Sequence, residues 1–186
     1  DVGFMLYCSF GNGYRLTGNE KYKQVLLKGA ESLSTRYKDH IGVIRSWDFN
    51  RAVWQYPVII DNMMNLELLE WASKNSDNSR FAAIARSHAD VTLKNHFRAD
   101  YSCWHVVSYD TITGQPEKKH TRQGYSHESS WSRGEAWALY GYVMMYRETQ
   151  QKHYLVHAKK VANYILTHPR MPEDGIPYWD YDAPDI

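Results

Sequence analysis

Apolar positions recur at helical spacing in six runs, and the runs pair off into three helical hairpins. The first run of each pair extends from Phe4 to Tyr14, from Val58 to Ala72 and from Trp137 to Tyr146. The second run sets an aromatic residue ahead of small or aliphatic ones at i+4 and i+8: Tyr22, Leu26 and Ala30; Phe81, Ala85 and Ala89; Tyr154, Ala158 and Ala162. The first and third copies share their wording. Tyr14-Arg15-Leu16-Thr17 lies eight residues before Tyr22, and Tyr146-Arg147-Glu148-Thr149 lies eight before Tyr154. Segments of another kind interrupt the hairpins. Gly42-Val43-Ile44-Arg45-Ser46-Trp47 and His105-Val106-Val107-Ser108-Tyr109 have strand character, and Thr113-Gly114-Gln115-Pro116 has that of a turn.

Hairpins of this kind bury their apolar faces by stacking on neighbours, and an inner ring of helices backed by an outer ring is one closed solution. The predicted fold is therefore all-α, a single domain over residues 1–186 forming part of an α/α toroid. A hairpin with its loops takes roughly 45–60 residues, which leaves this chain short of a closed ring. Asp1-Val2-Gly3-Phe4 starts inside a helix-opening motif and Asp180-Tyr181-Asp182-Ala183-Pro184 stops in a loop, so a piece of a larger protein is expected.

Composition narrows the ligand. With 22 basic against 21 acidic side chains there is no surplus for binding nucleic acid, and no apolar run has membrane length. Seven Trp and fifteen Tyr are more amphipathic rings than a core of this size hides, which points to a cleft that takes carbohydrate. Cys8 and Cys103 are too few for a disulfide framework or a metal motif and are expected as free thiols.

The repeats locate a site. Counting back thirteen residues from Tyr146 reaches Arg133, and thirteen from Tyr14 reaches Asp1; in the middle copy the same place falls at Pro57 to Asp61. Pro57 suits a first helical turn. Three inner helices would then present Asp1, Asp61 and Arg133 at one rim, with Asp61 on an inward stripe alongside Met64, Asn65 and Leu68. Arg133 stands between Trp131 and Trp137, a fixed cation between two indoles, suited to gripping an anionic sugar. An inward carboxyl needs a partner or a task, and partial burial would raise its pKa toward that of a general acid. Elsewhere the signals are weaker. His120, His127 and Glu128 have no metal-ligand spacing, Ser129 and Ser130 lack a nucleophile elbow, His88 is expected on a helix surface near Asp90, and Lys159-Lys160 on a wet helix face.

At these residues the sequence resembles the unsaturated glucuronyl hydrolases, glycoside hydrolase family 88. The matching elements, in the family's order, are Asp1-Val2-Gly3-Phe4, Asp61-Asn62-Met63-Met64-Asn65-Leu66, Ser102-Cys103-Trp104-His105-Val106-Val107, Gln123-Gly124-Tyr125, the Trp131 to Trp137 segment and Pro177-Tyr178-Trp179-Asp180. The resemblance implies an (α/α)6 barrel, a six-hairpin toroid of which this chain is an incomplete central portion. It implies a bacterial glycosidase, of periplasm or cytoplasm, that removes a 4,5-unsaturated uronic acid from the non-reducing end of lyase-generated oligosaccharides of glycosaminoglycan type. The chemistry implied is hydration of the C4=C5 double bond, so the carboxylate-separation rule for glycosidases does not apply. By position, Asp61 resembles the general acid and base and Asp1 the second carboxylate, whose charge would help keep Asp61 protonated. Phe4, Trp47 and Trp137 resemble stacking residues; His105, Gln123 and Arg133 resemble polar contacts to the sugar. No metal or organic cofactor is implied, since a proton and a water suffice. Arg122 stands where the family often has His, and Ser132 and Glu135 where small and amide residues are usual. The oligosaccharide is the one partner implied, with no nucleic acid, no membrane and the oligomeric state left open. Two other readings share these residues: an unsaturated galacturonyl or rhamnogalacturonyl hydrolase acting on pectin fragments, and a non-catalytic carbohydrate-binding protein.

Overall fold

The computed structural model describes residues 1–184. In the first hairpin, α1 (Val2–Leu6), a π-helical stretch (Tyr7–Gly11) and α2 (Asn12–Thr17) follow without a break and turn back into α3 (Glu20–Ser34). The second joins a 3-10 helix (Ile60–Asn65), continued by α4 (Leu66–Lys74), to α5 (Arg80–Asn95). The third joins α6 (Ser132–Thr149) to α7 (Lys152–Thr167).

The second member of each hairpin is amphipathic in the way its spacing dictates. Asn19 opens α3 by accepting from the Lys21 amide at 3.0 Å. Leu26, Ala30 and Leu33 on α3, Phe81, Ala85 and Ala89 on α5, and Tyr154, Ala158 and Val161 on α7 all enter one core with Met63, Leu68, Leu69, Ala138 and Tyr142. Each fully buried leucine there, such as Leu26, Leu68 or Leu69, contributes about 1.5–3 kcal/mol. Among the described residues no helix is long and apolar enough to cross a membrane.

The repeated wording ends in repeated geometry. α2 stops at Gly18 with φ 65°, and α6 stops at Gln150 with φ 59°. Glycine accepts the left-handed cap freely, whereas a side chain there is strained. Gln150→Gly is expected to stabilise the fold by about 0.5–1 kcal/mol, seen as a higher urea midpoint, because the exposed bond from its Nε2 to the Arg147 carbonyl offsets little.

Short strands fill the connections. β1 (Tyr37–Lys38) pairs with β2 (Val43–Ile44), while β3 (Pro57–Ile59), β4 (Val106–Tyr109) and β5 (Pro116–His120) form an antiparallel sheet in that order. Two expectations are corrected here. Pro57 starts an edge strand rather than a helix: Val58 and Ile59 are β-branched and pair with Val107 and Val106, and the helix begins only at Ile60. His88 is fully buried, not on a surface, because β2 lies across α5 and the Ile44 amide donates to its Nδ1 at 3.0 Å. Burial holds that imidazole near 3, so it stays a neutral acceptor. Cys8 is exposed, Cys103 is buried, and both are free.

Candidate active site

The first helices of the three hairpins open on one cavity of about 240 Å³, lined by Asp1, Phe4, Asp61, Met64, Gln123, Arg133 and Trp137. Two acids and a guanidinium far apart in the chain therefore meet. A larger cavity of about 510 Å³ between α1 and α3, walled by Val2, Leu6 and Val25, has no carboxylate among the described residues that line it.

A close approach explains the first two motifs. A Cβ on Gly3 would lie 2.7 Å from the Asn65 carbonyl oxygen, so only glycine lets α1 touch the 3-10 helix. The Phe4 amide then donates to Asn65 Oδ1 at 3.2 Å, Asn65 donates to Asn62 Oδ1 at 3.4 Å, and Asn62 donates to the Ile44 carbonyl at 2.7 Å. Gly3→Ala is expected to destabilise the protein by about 1–3 kcal/mol through overpacking. An unchanged denaturation midpoint would show that the two helices have room to part.

Asp61 is the half-buried acid of the cavity, its side chain 16% exposed. Burial raises its carboxyl from the usual range to about 6, against the pull of its own backbone amide and of the Arg133 guanidinium. Burial is the largest cause, so the acid does not depend on repulsion from Asp1. Its Oδ2 lacks a hydrogen-bond partner among the described residues and lies 3.7 Å from His105 Nε2, which lacks one too. That distance is too long for a hydrogen bond. Nor is the contact an ion pair, because burial holds His105 near 3 and neutral. The His105 tautomer follows from its other nitrogen: Nδ1 faces the amides of Arg122 at 3.0 Å and Gln123 at 3.2 Å, so it accepts and the proton sits on Nε2, toward Asp61. The Ile60 amide donates to the His105 carbonyl at 3.0 Å, which fastens the segments carrying the two groups to each other.

Around this pair stand the remaining residues singled out in the sequence. Arg133 donates to Gln123 Oε1, and its guanidinium lies 4.6 Å from the Trp131 ring centroid. Trp131 is buried and tilts against His105 at 4.6 Å, so the two indoles flanking Arg133 differ: one is a support and the other, Trp137, lines the cavity with Phe4 at its edge, 5.6 Å away. Trp47 stands apart from the lining, stacked on Phe49 at 5.1 Å and edge-on to Trp54. His120 and His127 stack at 4.0 Å, and each commits a ring nitrogen, to the Trp54 indole and the Thr121 amide respectively.

Two buried carboxylates, named in the sequence but assigned no role there, hold these parts in place. Asp180 Oδ2 accepts from the Tyr125 amide at 2.9 Å and from Ser129 Oγ at 2.8 Å, pinning the loop that presents Gln123. Glu135 accepts from the Cys103 amide at 2.8 Å. Both lay within quoted motifs, Glu135 as a departure from the usual amide, but neither signalled its role locally, because the partners Tyr125, Ser129 and Cys103 lie far along the chain.

The chain can now be set beside known proteins. No protein-family profile matches it. It is 50% identical, over its whole length and 47% of the relative's, to the unsaturated glucuronyl hydrolase of Formosa agariphila. It is 36% identical, over 97% of this chain and 45% of the relative, to the unsaturated chondroitin disaccharide hydrolase of Streptococcus agalactiae. A solved unsaturated glucuronyl hydrolase specific for heparin superposes with a TM-score of 0.95 at 51% identity, over 98% of this chain and 48% of that one. The chain thus spans about half the length of the curated relatives it matches.

Proposed function

Because the chain belongs to the unsaturated glucuronyl hydrolase family, we propose that its single domain is part of an (α/α)6 barrel and removes a 4,5-unsaturated uronic acid from the non-reducing end of glycosaminoglycan-type oligosaccharides. The observation that carries this reading is a half-buried acid, raised by partial desolvation to about 6, lining a cavity that also holds a guanidinium and an indole.

In the proposed reaction the protonated Asp61 carboxyl delivers its proton to C4. A water adds at C5 and returns a proton to the Asp61 carboxylate, leaving a hemiketal with the hydroxyl on C5. Ring opening breaks the bond between C5 and the ring oxygen and gives a ketone at C5. The ring oxygen stays on C1 as a hemiacetal hydroxyl, and collapse of that hemiacetal to an aldehyde expels the next sugar as an alcohol. One water is consumed, and Asp61 ends as it began. Arg133, held by Gln123, binds the sugar carboxylate; Trp137 and Phe4 offer apolar faces to the ring; Asp1 accepts from its hydroxyls. The His105 Nε2–H faces Asp61 Oδ2 and stabilises the carboxylate formed on proton transfer.

Turnover is followed as loss of absorbance from the conjugated double bond. Unsaturated chondroitin and heparin disaccharides are expected to be consumed and the unsaturated rhamnogalacturonan disaccharide to be left; the reverse preference would place the protein among pectin-fragment hydrolases. Since the acid must be protonated, kcat/KM is expected to be highest below pH about 6 and to fall as pH rises through that value. Stability follows the same sign. A carboxyl whose folded pKa lies above its unfolded value favours the fold while protonated, and that contribution is lost as pH climbs through about 6. A kcat/KM profile that is flat from pH 5 to about 8 would exclude Asp61 as the acid.

A further inference from the structure

Glu135 sits in the first turn of α6, fully buried, and is not among the residues that line the cavity. Its Oε1 accepts from the Cys103 amide at 2.8 Å and from Ser130 Oγ at 2.7 Å. Cys103 lies two residues before His105. Ser130 precedes Trp131, whose ring lies against the His105 ring at 4.6 Å. On its own helix, Glu135 is two residues from Arg133 and two from Trp137. The second oxygen, Oε2, has no partner among the described residues.

We propose that Glu135 is a positioning residue, a buried clasp that ties the segments carrying His105 and Trp131 to the helix carrying Arg133 and Trp137, and thereby aims the His105 imidazole at Asp61. An apolar side chain would fill the same space without leaving an oxygen unpartnered, and burying an acid is costly. What an apolar side chain cannot do is accept from the Cys103 amide and the Ser130 hydroxyl together. The groups facing the carboxyl are Arg98, Cys103, Tyr164 and the Tyr181 hydroxyl, itself buried without a partner. Burial raises Glu135 to about 7, so the clasp is protonated at the pH where Asp61 is proposed to act as an acid. An amide at this position would accept at the same point and donate from the other, as the protonated acid does.

The proposal rests on the reading of the cavity as the site of double-bond hydration, and its test has one arm that does not need turnover. Nitrogen-15 NMR of the histidine side chains reports which ring nitrogen of His105 carries the proton. Wild type and Glu135→Gln are expected to show one tautomer, protonated on Nε2. Glu135→Leu, which removes the acceptor, and Glu135→Asp, which withdraws it by one methylene and is the gentler change for folding, are expected to let the His105 segment shift so that the ring leaves the Arg122 and Gln123 amides that fix its proton, and so to show averaged tautomers. In the same variants kcat is expected to fall on the order of 10- to 100-fold with KM changed by less than about threefold, and Glu135→Gln to restore kcat. Single-tautomer spectra and wild-type kcat in both Leu and Asp variants would overturn the proposal, even if they melt earlier, since the residue would then serve stability alone. If wild type shows no turnover, the proposed reaction falls, while the tautomer spectra still decide whether Glu135 sets the imidazole.

Discussion

Asp61→Asn is expected to lower kcat on the order of 10²–10⁴-fold while leaving much of the affinity for an unsaturated disaccharide. The amide keeps the shape of the carboxyl, but it has no acidic proton to give to C4 and no base to take one from water. Because burial and not a charged partner dominates the environment of Asp61, a neutral isostere is well tolerated there, and the variant is expected to fold at least as stably above pH about 6. Stopped turnover with retained binding, measured by tryptophan fluorescence, separates this reading from that of a carbohydrate-binding protein, in which wild type itself would bind without consuming the double bond. Comparable turnover by the variant would remove Asp61 from the mechanism.

Arg133→Ala is expected to act mainly on binding. Its guanidinium is held on two sides, by Gln123 and by the Trp131 face, so in the proposed reaction it would meet the uronate carboxylate already oriented. A charge-assisted bond of this kind is worth about 1.5–3 kcal/mol, which corresponds to a rise in KM of about 10- to 150-fold. The same change has a second signature. Arg133 lowers the Asp61 pKa, so its loss moves the alkaline limb of kcat/KM to higher pH. Arg133→Lys restores the charge but not the planar fork and is expected to recover only part of the affinity. An unchanged KM for Arg133→Ala would mean that the uronate carboxylate is bound elsewhere.

Periodicity alone was enough to place the helical hairpins, because a helix must bury one face whatever it packs against: Leu26, Ala85 and Ala158 declare their burial by spacing. The phase of the repeats was likewise enough to bring Asp1, Asp61 and Arg133 to one end of the molecule, and they do line one cavity. Spacing is silent about partners from other elements. Pro57 and Val58 became a strand because Ser108 and Val107 lie beside them, and His88 became a buried acceptor because Ile44 crosses α5. The same holds within the site. Which nitrogen of His105 carries its proton depends on the amides of Arg122 and Gln123, and the cover over Asp61 comes from three separate hairpins. The chain's order of residues thus determined which groups exist and which ends of helices bear them. Only the tertiary structure decided their protonation and aim, because desolvation and hydrogen bonding depend on what surrounds a group in space, not on its neighbours in sequence.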